Sequence, residues 1–166
     1  AESELSKSGI SAVRVEPLAK KLKVTKGSFY WHFSGRKELF EKILTNWRTR
    51  STSAIIERLN SSDLTPKAQL KELFLIPQKN LNRNNAGALE LAIRNWSQSD
   101  DTVKKTINEV DNHRLNFISE SFGKLGYSKN EATIKASCFY YTMQGIRIVG
   151  INYNDNHLEE IFELLL

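Results

Sequence analysis

The sequence predicts an all-α protein, and three observations support this fold class. Apolar residues recur at the spacing of amphipathic helices along nearly the whole chain, and no segment alternates like a half-buried strand. Helix-capping residues such as Thr25 and the Ser128–Glu131 pair fall between the periodic segments. With 40% apolar and 26% charged residues, and only 8 glycines and 3 prolines among 166 residues, the composition is that of a folded globular protein.

Two short helices are predicted in the front part of the chain. A first helical segment ends near Gly9, a residue that suits the end of a helix. The next helix is amphipathic over residues 15–22, with apolar side chains at i, i+3, i+4 and i+7. After a tight turn, Thr25 is expected to cap a second short helix over residues 26–33.

A long helix is predicted from Ser34, its expected N-cap, to Leu59. Its expected inward face consists of Leu39, Phe40, Ile43, Trp47, Ala54, Ile55 and Leu59. At 1.5 Å per residue, roughly 25 residues span about 38 Å. Such a helix is long enough to join the front part of the chain to the remainder, which we call the body.

Capping signals divide the body into further helices. Thr65 and Pro66 suit the first positions of a helix that ends or kinks at Pro77. Another helix precedes Asp100, which is expected to cap a longer one that closes at Gly126. The inward face of this longer helix is predicted to be Val103, Ile107, Val110, Phe117, Ser121 and Leu125.

The helix predicted over residues 130–151 carries two apolar stripes, roughly 150° apart around its axis. The first stripe is Ala136, Phe139, Met143 and Ile146, and the second is Ile134, Cys138, Tyr141, Gly145 and Ile148. A helix that is apolar on opposite sides is buried on both. We therefore expect a homodimer in which a second chain covers one stripe, and the sequence leaves open which one. The final helix is expected to add Leu158, Phe162 and Leu165 to the same seam.

Several classes of protein are excluded. The single cysteine cannot form an internal disulfide, and no Cys/His cluster has metal-ligand spacing, so we expect no metal site. The chain has no Gly-rich phosphate loop, nucleophile elbow or HExxH motif, so we expect no catalytic residues and no cofactor. No apolar run reaches membrane-spanning length and no signal peptide is visible, which favours a cytoplasmic protein without a membrane partner.

Positive charge is concentrated in the front of the chain. Residues 1–50 hold 11 Lys and Arg against 5 Asp and Glu, whereas residues 51–166 hold 13 against 14. Clustered cations favour a polyanionic partner for the front alone, because neutralising phosphates releases counterions. The alternative is a solvated surface without a partner.

The segment GISAVRVEPLAKKLKVTKGSFYWHFSGRKELF, residues 9–40, resembles the DNA-binding domain of TetR-family transcriptional regulators. The matching positions are Gly9, Val15, Ala19, Val24, Thr25, Lys26, Gly27, Ser28, Phe29, Tyr30, His32, Phe33, Lys37, Glu38 and Leu39. The resemblance implies a helix-turn-helix DNA-binding domain over residues 1–46, with a shortened first helix. It also implies a helical ligand-binding and dimerisation domain over residues 47–166. A ligand-responsive repressor that binds a palindromic DNA operator as a homodimer is the function implied.

In a helix-turn-helix, the second helix enters the major groove end-on, so its first residues should be small or flexible. The candidate DNA-binding residues are Arg14, Thr25, Lys26, Gly27, Ser28, Tyr30, Trp31, His32 and Lys37. Phe29 and Phe33 share the inner face of this helix, which leaves Tyr30 and His32 free to donate to phosphate oxygens. Alternatives stay open, since Trp31 and His32 could cover the small core and Lys37 could be an ordinary surface lysine.

By resemblance, the body should hold a small-molecule effector. The candidate ligand-binding residues are Trp47, Phe74, Trp96, His113, Arg114, Phe117, Tyr140 and Tyr141. Arg114 interrupts an apolar stripe, and a buried charge requires a partner. That partner is either an acidic group of the ligand or an internal Asp or Glu. Arg94 is matched by Glu90 four residues earlier, which predicts a surface pair.

A rival function belongs to a different class of protein. The chain could be a helical, dimeric interaction module whose front part binds another protein, with no sequence-specific binding of DNA. A steep fall of DNA affinity with salt distinguishes the two functions, because an apolar protein contact lacks counterion release.

Overall fold

A computed structural model describes residues 1–81, 86–149 and 154–166. Every regular element in these ranges is helical, so the predicted all-α fold is confirmed. No helix within them is both long and apolar enough to cross a lipid bilayer.

The front begins with α1 (Glu2–Ser8), a 3₁₀ turn (Ile10–Ala12) and α2 (Val15–Leu22). Gly9 ends α1 as predicted, with a φ of 75° that glycine adopts without strain. Its backbone N–H donates to the carbonyl oxygen of Leu5 at 3.0 Å. The chain therefore leaves α1 through a turn that favours glycine.

A tight turn joins α2 to α3 (Lys26–His32). Lys23 adopts the left-handed conformation, with a φ of 55°, and the N–H of Val24 donates to the Ala19 carbonyl at 3.0 Å. The hydroxyl oxygen of Thr25 accepts from the N–H of Ser28 at 3.1 Å, which confirms Thr25 as the cap of α3. The two helices of the predicted helix-turn-helix thus have defined ends.

The long connecting helix begins later than predicted. It consists of α4 (Arg36–Arg48), a π-helical turn (Thr49–Ser53) and α5 (Ala54–Asn60). Ser34 was expected to be its N-cap, but Gly35 occupies that position without a side-chain bond. The hydroxyl and N–H of Ser34 donate instead to the carboxylate of Glu38, each at 2.7 Å.

The π-helical turn changes which residues of this helix face inward. Each extra residue per turn rotates the following side chains around the axis. Ala54, predicted to face the core, is exposed, and Thr52 and Ile56 are buried in its place. The sequence prediction was wrong here because it assumed uninterrupted α-helical spacing.

The body consists of α6 (Pro66–Leu81), α7 (Ala86–Trp96), α8 (Asp101–Lys124), α9 (Lys129–Val149) and α10 (Asp155–Leu165). The predicted cap at Asp100 is confirmed by bonds from the N–H groups of Thr102 and Val103. The predicted capping box is confirmed by reciprocal bonds between Ser128 and Glu131.

Two expectations for the ends of the body helices need correction. The helix containing Pro77 does not end there, because α6 continues to Leu81. Leu125, expected on the inward face of α8, is 37% exposed, because it lies beyond the last helical residue, Lys124. Residues 150 and 151 of the predicted last turn of α9 lie outside the described residues.

Two apolar clusters fill the interior. The body core joins α5, α6, α8, α9 and α10 and is rich in aromatic rings, namely Phe74, Phe117, Phe122, Phe139, Tyr140 and Phe162. The front core contains residues of α1, α2 and α4, which pack on α7 and on the first half of α8. Leu5 of α1, Trp47 of α4 and Ile93 of α7 all lie in this second cluster. The front of the chain therefore packs directly on a helix of the body.

The second stripe of α9 is uncovered in the single chain, whereas the first is buried. Ile134 is 56% exposed, Tyr141 65% and Ile148 58%. By contrast, Leu158 and Phe162 of α10 are only 1% exposed, and the Phe162 ring packs on those of Phe74 and Phe139. Their expected place in a seam with a second chain is corrected, because the chain's own core covers them.

Replacing Phe162 with alanine should lower the free energy of unfolding by about 3–5 kcal/mol, because the change leaves a cavity among aromatic rings. Urea unfolding measures this effect. Leu164→Ala is the matched control on the same helix, since Leu164 is 86% exposed and its loss should cost about 0.5 kcal/mol or less. If Phe162→Ala instead weakened self-association without loss of stability, the core assignment of Phe162 would be wrong.

Candidate functional site

The residues predicted to contact DNA lie on the outer surface of the front of the chain, along α3, directly before α2 and α3, and in the first turn of α4. Ser28 is partly buried, and the other eight are exposed, namely Arg14, Thr25, Lys26, Gly27, Tyr30, Trp31, His32 and Lys37. The inner face of α3 is apolar, and the stacked rings of Phe29 and Phe33, with centroids 5.2 Å apart, pack on the front core. We call the outer surface the α3 surface.

A shallow groove of about 680 Å³ runs between α2 and α3. Its basic and hydroxyl-bearing lining residues are Arg14, Lys20, Lys26 and Tyr30. Sequence reasoning missed Lys20, although the basic run KKLK at residues 20–23 lies largely on the polar face of α2. Three cations and a phenol in one open groove are suited to bind phosphate oxygens.

Lys26 is held across this groove by Glu16 of α2. Its ammonium donates to the Glu16 carboxylate at 2.8 Å. This hydrogen bond and the charge of Lys26 lower the pKa of Glu16, and the same contact raises the pKa of Lys26. Both side chains are solvent-exposed, so a phosphate group can compete for Lys26 at little cost.

Trp31 projects away from the protein. Its side chain is 83% exposed, and its ring meets that of His32 edge-on with centroids 4.6 Å apart. The alternative that Trp31 and His32 cover the small core is therefore wrong, since neither is buried. Lys37 is also free of the core, and Glu41 is its ion-pair partner at a distance of 4.0 Å.

A second site lies in the body, around the carboxylate of Glu90 on α7. Glu90 is only 2% exposed and accepts hydrogen bonds from three arginines of α7, α8 and α9. Arg94 donates at 2.9 Å, Arg114 at 2.8 and 3.2 Å, and Arg147 also binds it. The predicted surface pair between Arg94 and Glu90 is corrected, because it forms part of this buried cluster.

Asp111 and Tyr140 extend the cluster. The guanidinium of Arg94 binds both carboxylate oxygens of Asp111, at 2.9 and 2.7 Å. The hydroxyl of Tyr140 donates to Asp111 at 2.6 Å and accepts from Arg94 and Arg114 at 3.2 Å. Asp111 and Tyr140, together with Glu90 and the three arginines, make six residues that we call the Glu90 cluster. Its ion pairs join α7, α8 and α9 at one point.

Arg114 also contacts the π-helical turn of the connecting helix. Its Nε donates to the hydroxyl of Thr52 at 2.9 Å, and another nitrogen reaches the carbonyl and hydroxyl of Ser51 at 3.3 Å. Its guanidinium lies 5.8 Å from the ring centroid of Trp47. An internal acidic partner for Arg114, one of the two alternatives from the sequence, is therefore present in Glu90.

A cavity of about 30 Å³ lies beside this cluster. Of the predicted ligand-binding residues, Arg114, Phe117 and Tyr140 line it. Trp47, Phe74 and Trp96 are buried in the two cores but do not line the cavity. His113 and Tyr141 are exposed on the surface, so their expected place in an internal pocket is corrected. Sequence reasoning missed two further lining residues, Gln144 and Arg147, and the partner of Arg147, Glu90, lies 57 residues away in the sequence.

The arginines keep Glu90 ionised despite its burial. Burial by itself raises the pKa of Glu90, but the charges of Arg114 and Arg147, together with the Arg114 hydrogen bond, outweigh it and lower the pKa from 4.5 to about 2. Burial likewise disfavours the charged form of Arg114, and Glu90 outweighs it to raise the pKa of Arg114. Glu90 and Arg114 are therefore both charged at neutral pH.

In the described parts of the chain, no three His, Cys, Asp or Glu side chains come close enough together to hold a metal ion. The candidate functional features are thus the α3 surface and the cavity beside the Glu90 cluster.

Comparison with known proteins identifies the front of the chain. Residues 1–43 match the sequence model of the bacterial regulatory proteins of the tetR family. The front of the chain is therefore similar to the N-terminal domain of these regulators. This match supports a transcriptional regulator.

The body also shares its fold with a solved structure. A crystal structure of a TetR transcriptional regulator from Legionella pneumophila superposes with a TM-score of 0.76 and covers 99% of this chain and 90% of its own. The two sequences are 19% identical, so the likeness establishes a shared fold. None of the curated proteins matches this sequence.

Replacing Glu90 with glutamine should lower the stability of the protein by about 3–5 kcal/mol at neutral pH, because three arginines lose their shared acidic partner. Urea unfolding at pH 7 measures the loss. Glu120→Gln is the matched control, since Glu120 is exposed on α8. An equal, small effect of both changes would contradict the structural role of Glu90.

The pH dependence should also differ between wild type and Glu90→Gln. The folded-state pKa of Glu90, about 2, lies below its usual value of 4.5, so its stabilising contribution is complete above pH 4.5. That contribution, about 3 kcal/mol, is lost as the pH falls from about 4.5 to 2. Between pH 7 and pH 3, the midpoint temperature of thermal unfolding should therefore fall more steeply for wild type than for the variant.

Proposed function

We propose that this regulator is a cytoplasmic repressor that binds a palindromic operator as a homodimer and releases it when a small-molecule effector enters the body. The observation that carries the proposal is the α3 surface, where cationic and aromatic side chains stand exposed around a helix whose opposite face is core. Trp31 is 83% exposed, so its ring is available to contact a partner at this surface. Residues 1–46 would form the DNA-binding domain and residues 47–166 the effector-binding and dimerisation domain.

The α3 surface supports a division of roles among its residues. Arg14, Lys20 and Lys26 line one groove and would bind backbone phosphates, as would Lys37 at the start of α4. The hydroxyl of Tyr30 and the ring N–H of His32 are further donors to phosphate. Thr25, Gly27 and Ser28, with Trp31, lie at the part of α3 that would approach the base edges.

Gly27 supplies a separate argument for close approach by DNA. A Cβ added there would meet only the Thr25 hydroxyl oxygen, at an ordinary 3.6 Å. Nothing within the described chain therefore requires glycine, although alanine has the better helix propensity by about 1 kcal/mol. A surface that approaches DNA at this point explains the preference for the smaller residue.

Gly27→Ala should therefore separate folding from DNA binding. The variant should be at least as stable as wild type, yet bind the operator at least tenfold more weakly, because the added methyl group lies between α3 and the groove. The operator is first obtained by selection from random duplexes, and affinity is then measured by fluorescence anisotropy. Unchanged affinity would remove Gly27 from the proposed interface.

Lys26→Ala should lower affinity for all duplexes and reduce the slope of log K against log salt concentration by about one unit, because one phosphate contact is lost. Lys129→Ala, an exposed lysine at the start of α9, is the control and should leave the slope unchanged. If wild type selects no palindrome and binds DNA without salt dependence, the chain is an interaction module instead.

The uncovered stripe of α9 supports the homodimer. Ile134, Cys138, Tyr141 and Ile148 are exposed along one side of the helix. A Cβ added at Gly145 would meet nothing within 4 Å, so a second helix can approach closely there. Among the α10 candidates, Leu165 is partly buried against the body core. A symmetric pairing of α9 with its copy would bury this stripe, as expected for an isologous interface.

Ile148→Glu should raise the dimer dissociation constant at least tenfold, because two-fold symmetry places the new charge in the interface of both chains. Sedimentation at several protein concentrations measures the change. Leu64→Glu is the matched control, since Leu64 is 40% exposed and lies in the connection between α5 and α6. A dimer unaffected by Ile148→Glu would exclude this face.

A further inference from the structure

The charges of the Glu90 cluster do not balance. Three arginines, Arg94, Arg114 and Arg147, face two carboxylates, Glu90 and Asp111. All five side chains are buried or largely so. One positive charge is thus left without a counterion among the described residues of the cluster, and the interior disfavours an uncompensated charge.

Among the described residues, Arg147 is the arginine of the cluster with the fewest bonds. Arg114 uses all three of its nitrogens on Glu90, Tyr140 and the π-helical turn. Arg147 contacts Glu90 through one nitrogen, and its side chain is 19% exposed. Arg94 forms a two-point contact with Asp111, so it is already matched. The excess charge is therefore most available at Arg147.

The cavity places an apolar wall next to this charge. The polar side chains that line it include Arg114, Gln144 and Arg147. The remaining lining is largely apolar and includes Ile55, Leu73, Ile76 and Met143. A ligand complementary to this lining has one anionic head group and an apolar body.

We propose that the effector is an organic monocarboxylic acid whose carboxylate binds Arg147, with Gln144 beside it, and whose apolar part occupies the cavity. This rests on the proposed function, since it names the chemical class that the regulator senses. One negative charge matches the excess of one positive charge, whereas a phosphate monoester, with about 1.5 to 2 charges, exceeds it. A carboxylate also matches the two-point geometry of a guanidinium.

The size of the cavity links this ligand to regulation. A volume of about 30 Å³ holds about two water molecules, so an organic acid cannot bind without enlarging it. The walls that must give way include Ser51 and Thr52 of the π-helical turn. The incoming carboxylate also competes with Glu90 for Arg147. Binding therefore selects a conformation other than the described one, which is the requirement for an effector to shift an equilibrium.

The π-helical turn and α7, which carries Glu90, both contact the DNA-binding part of the chain. The π-helical turn continues directly from α4, which carries the front core residues Ile43 and Trp47. Glu90 lies on α7, whose Ile93 and Trp96 pack in the same core, the latter against Phe40 with ring centroids 5.0 Å apart. Displacing either element moves the surface on which the DNA-binding part rests.

The test uses the full chain and a panel of matched probes. Octanoate, decanoate and cinnamate are compared with octanol, decanol, cinnamyl alcohol and octylamine. Binding is followed by the thermal midpoint and by tryptophan fluorescence, to which Trp47 beside Arg114 should contribute. At least one acid should bind tenfold or more tightly than its alcohol, and the amine should not bind. Equal binding of acids and alcohols, preference for the amine, or no acid binding overturns the proposal.

Variants then locate the site. Arg147→Met should weaken acid binding at least tenfold. The affinity of Arg147→Lys should lie between those of Arg147→Met and wild type, because lysine keeps the charge but lacks the two-point hydrogen bonding of the guanidinium. Arg58→Met is the control, since Arg58 is an exposed arginine paired with Glu72. Glu90→Gln, if folded, should bind acids more tightly, because the competing carboxylate is gone. Unchanged acid affinity in Arg147→Met overturns the assignment.

A separate assay distinguishes this proposal from the proposed function. Operator affinity is measured without ligand and then with the acid that binds best, which should lower it at least fivefold. If wild type binds the operator but no acid alters that affinity, the effector class is wrong and the DNA-binding function stands. If wild type selects no operator, the proposed function fails whatever the acids do.

Discussion

The burial of Glu90 among three arginines is the constraint on which the arrangement of the body depends. Its carboxylate accepts from α7, α8 and α9 at once, and Arg114 carries the same network to the π-helical turn. Removing Glu90 leaves buried arginines without their shared carboxylate, which is far more costly than losing an exposed pair. These helices are therefore fixed relative to one another by charge geometry as well as by packing, and small displacements of one are felt by all.

Apolar packing on the body explains how the front of the chain is held. The front core does not close on itself, because Leu5, Trp47 and Ile93 come from the front, the connecting helix and the body. Arg36 adds a polar connection within the front, since its guanidinium donates to the carbonyls of Val13 and Ile10 at 2.8 and 2.7 Å. The DNA-binding part therefore rests on α7 and α4 together. Any motion of these two helices changes its position without any need to unfold it.

Local chemistry made much of the fold predictable from the sequence. The caps at Thr25, Asp100 and Ser128 bond to backbone N–H groups within three residues, so they can be predicted from local sequence. The outer surface of α3 follows from the inner placement of Phe29 and Phe33. The Glu90 cluster could not be predicted, because Arg114 and Arg147 lie 24 and 57 residues from their partner. The π-helical turn and the inward position of Phe162 were missed for a related reason, since both are decided by tertiary packing rather than by spacing.

Stability alone does not account for a buried cluster with an unmatched charge. Well-packed apolar residues in place of a buried ion-pair network are often neutral or stabilising, since the desolvation of each charge is avoided. What an apolar core lacks is an arrangement of charges that can exchange partners. Glu90 is shared among three arginines, so a competing anion can take over one of these contacts while the others persist. Such an exchange is a switch between two paired states, and neither state leaves a buried charge without a partner. The switch involves Glu90 of α7, the helix on which the front of the chain packs.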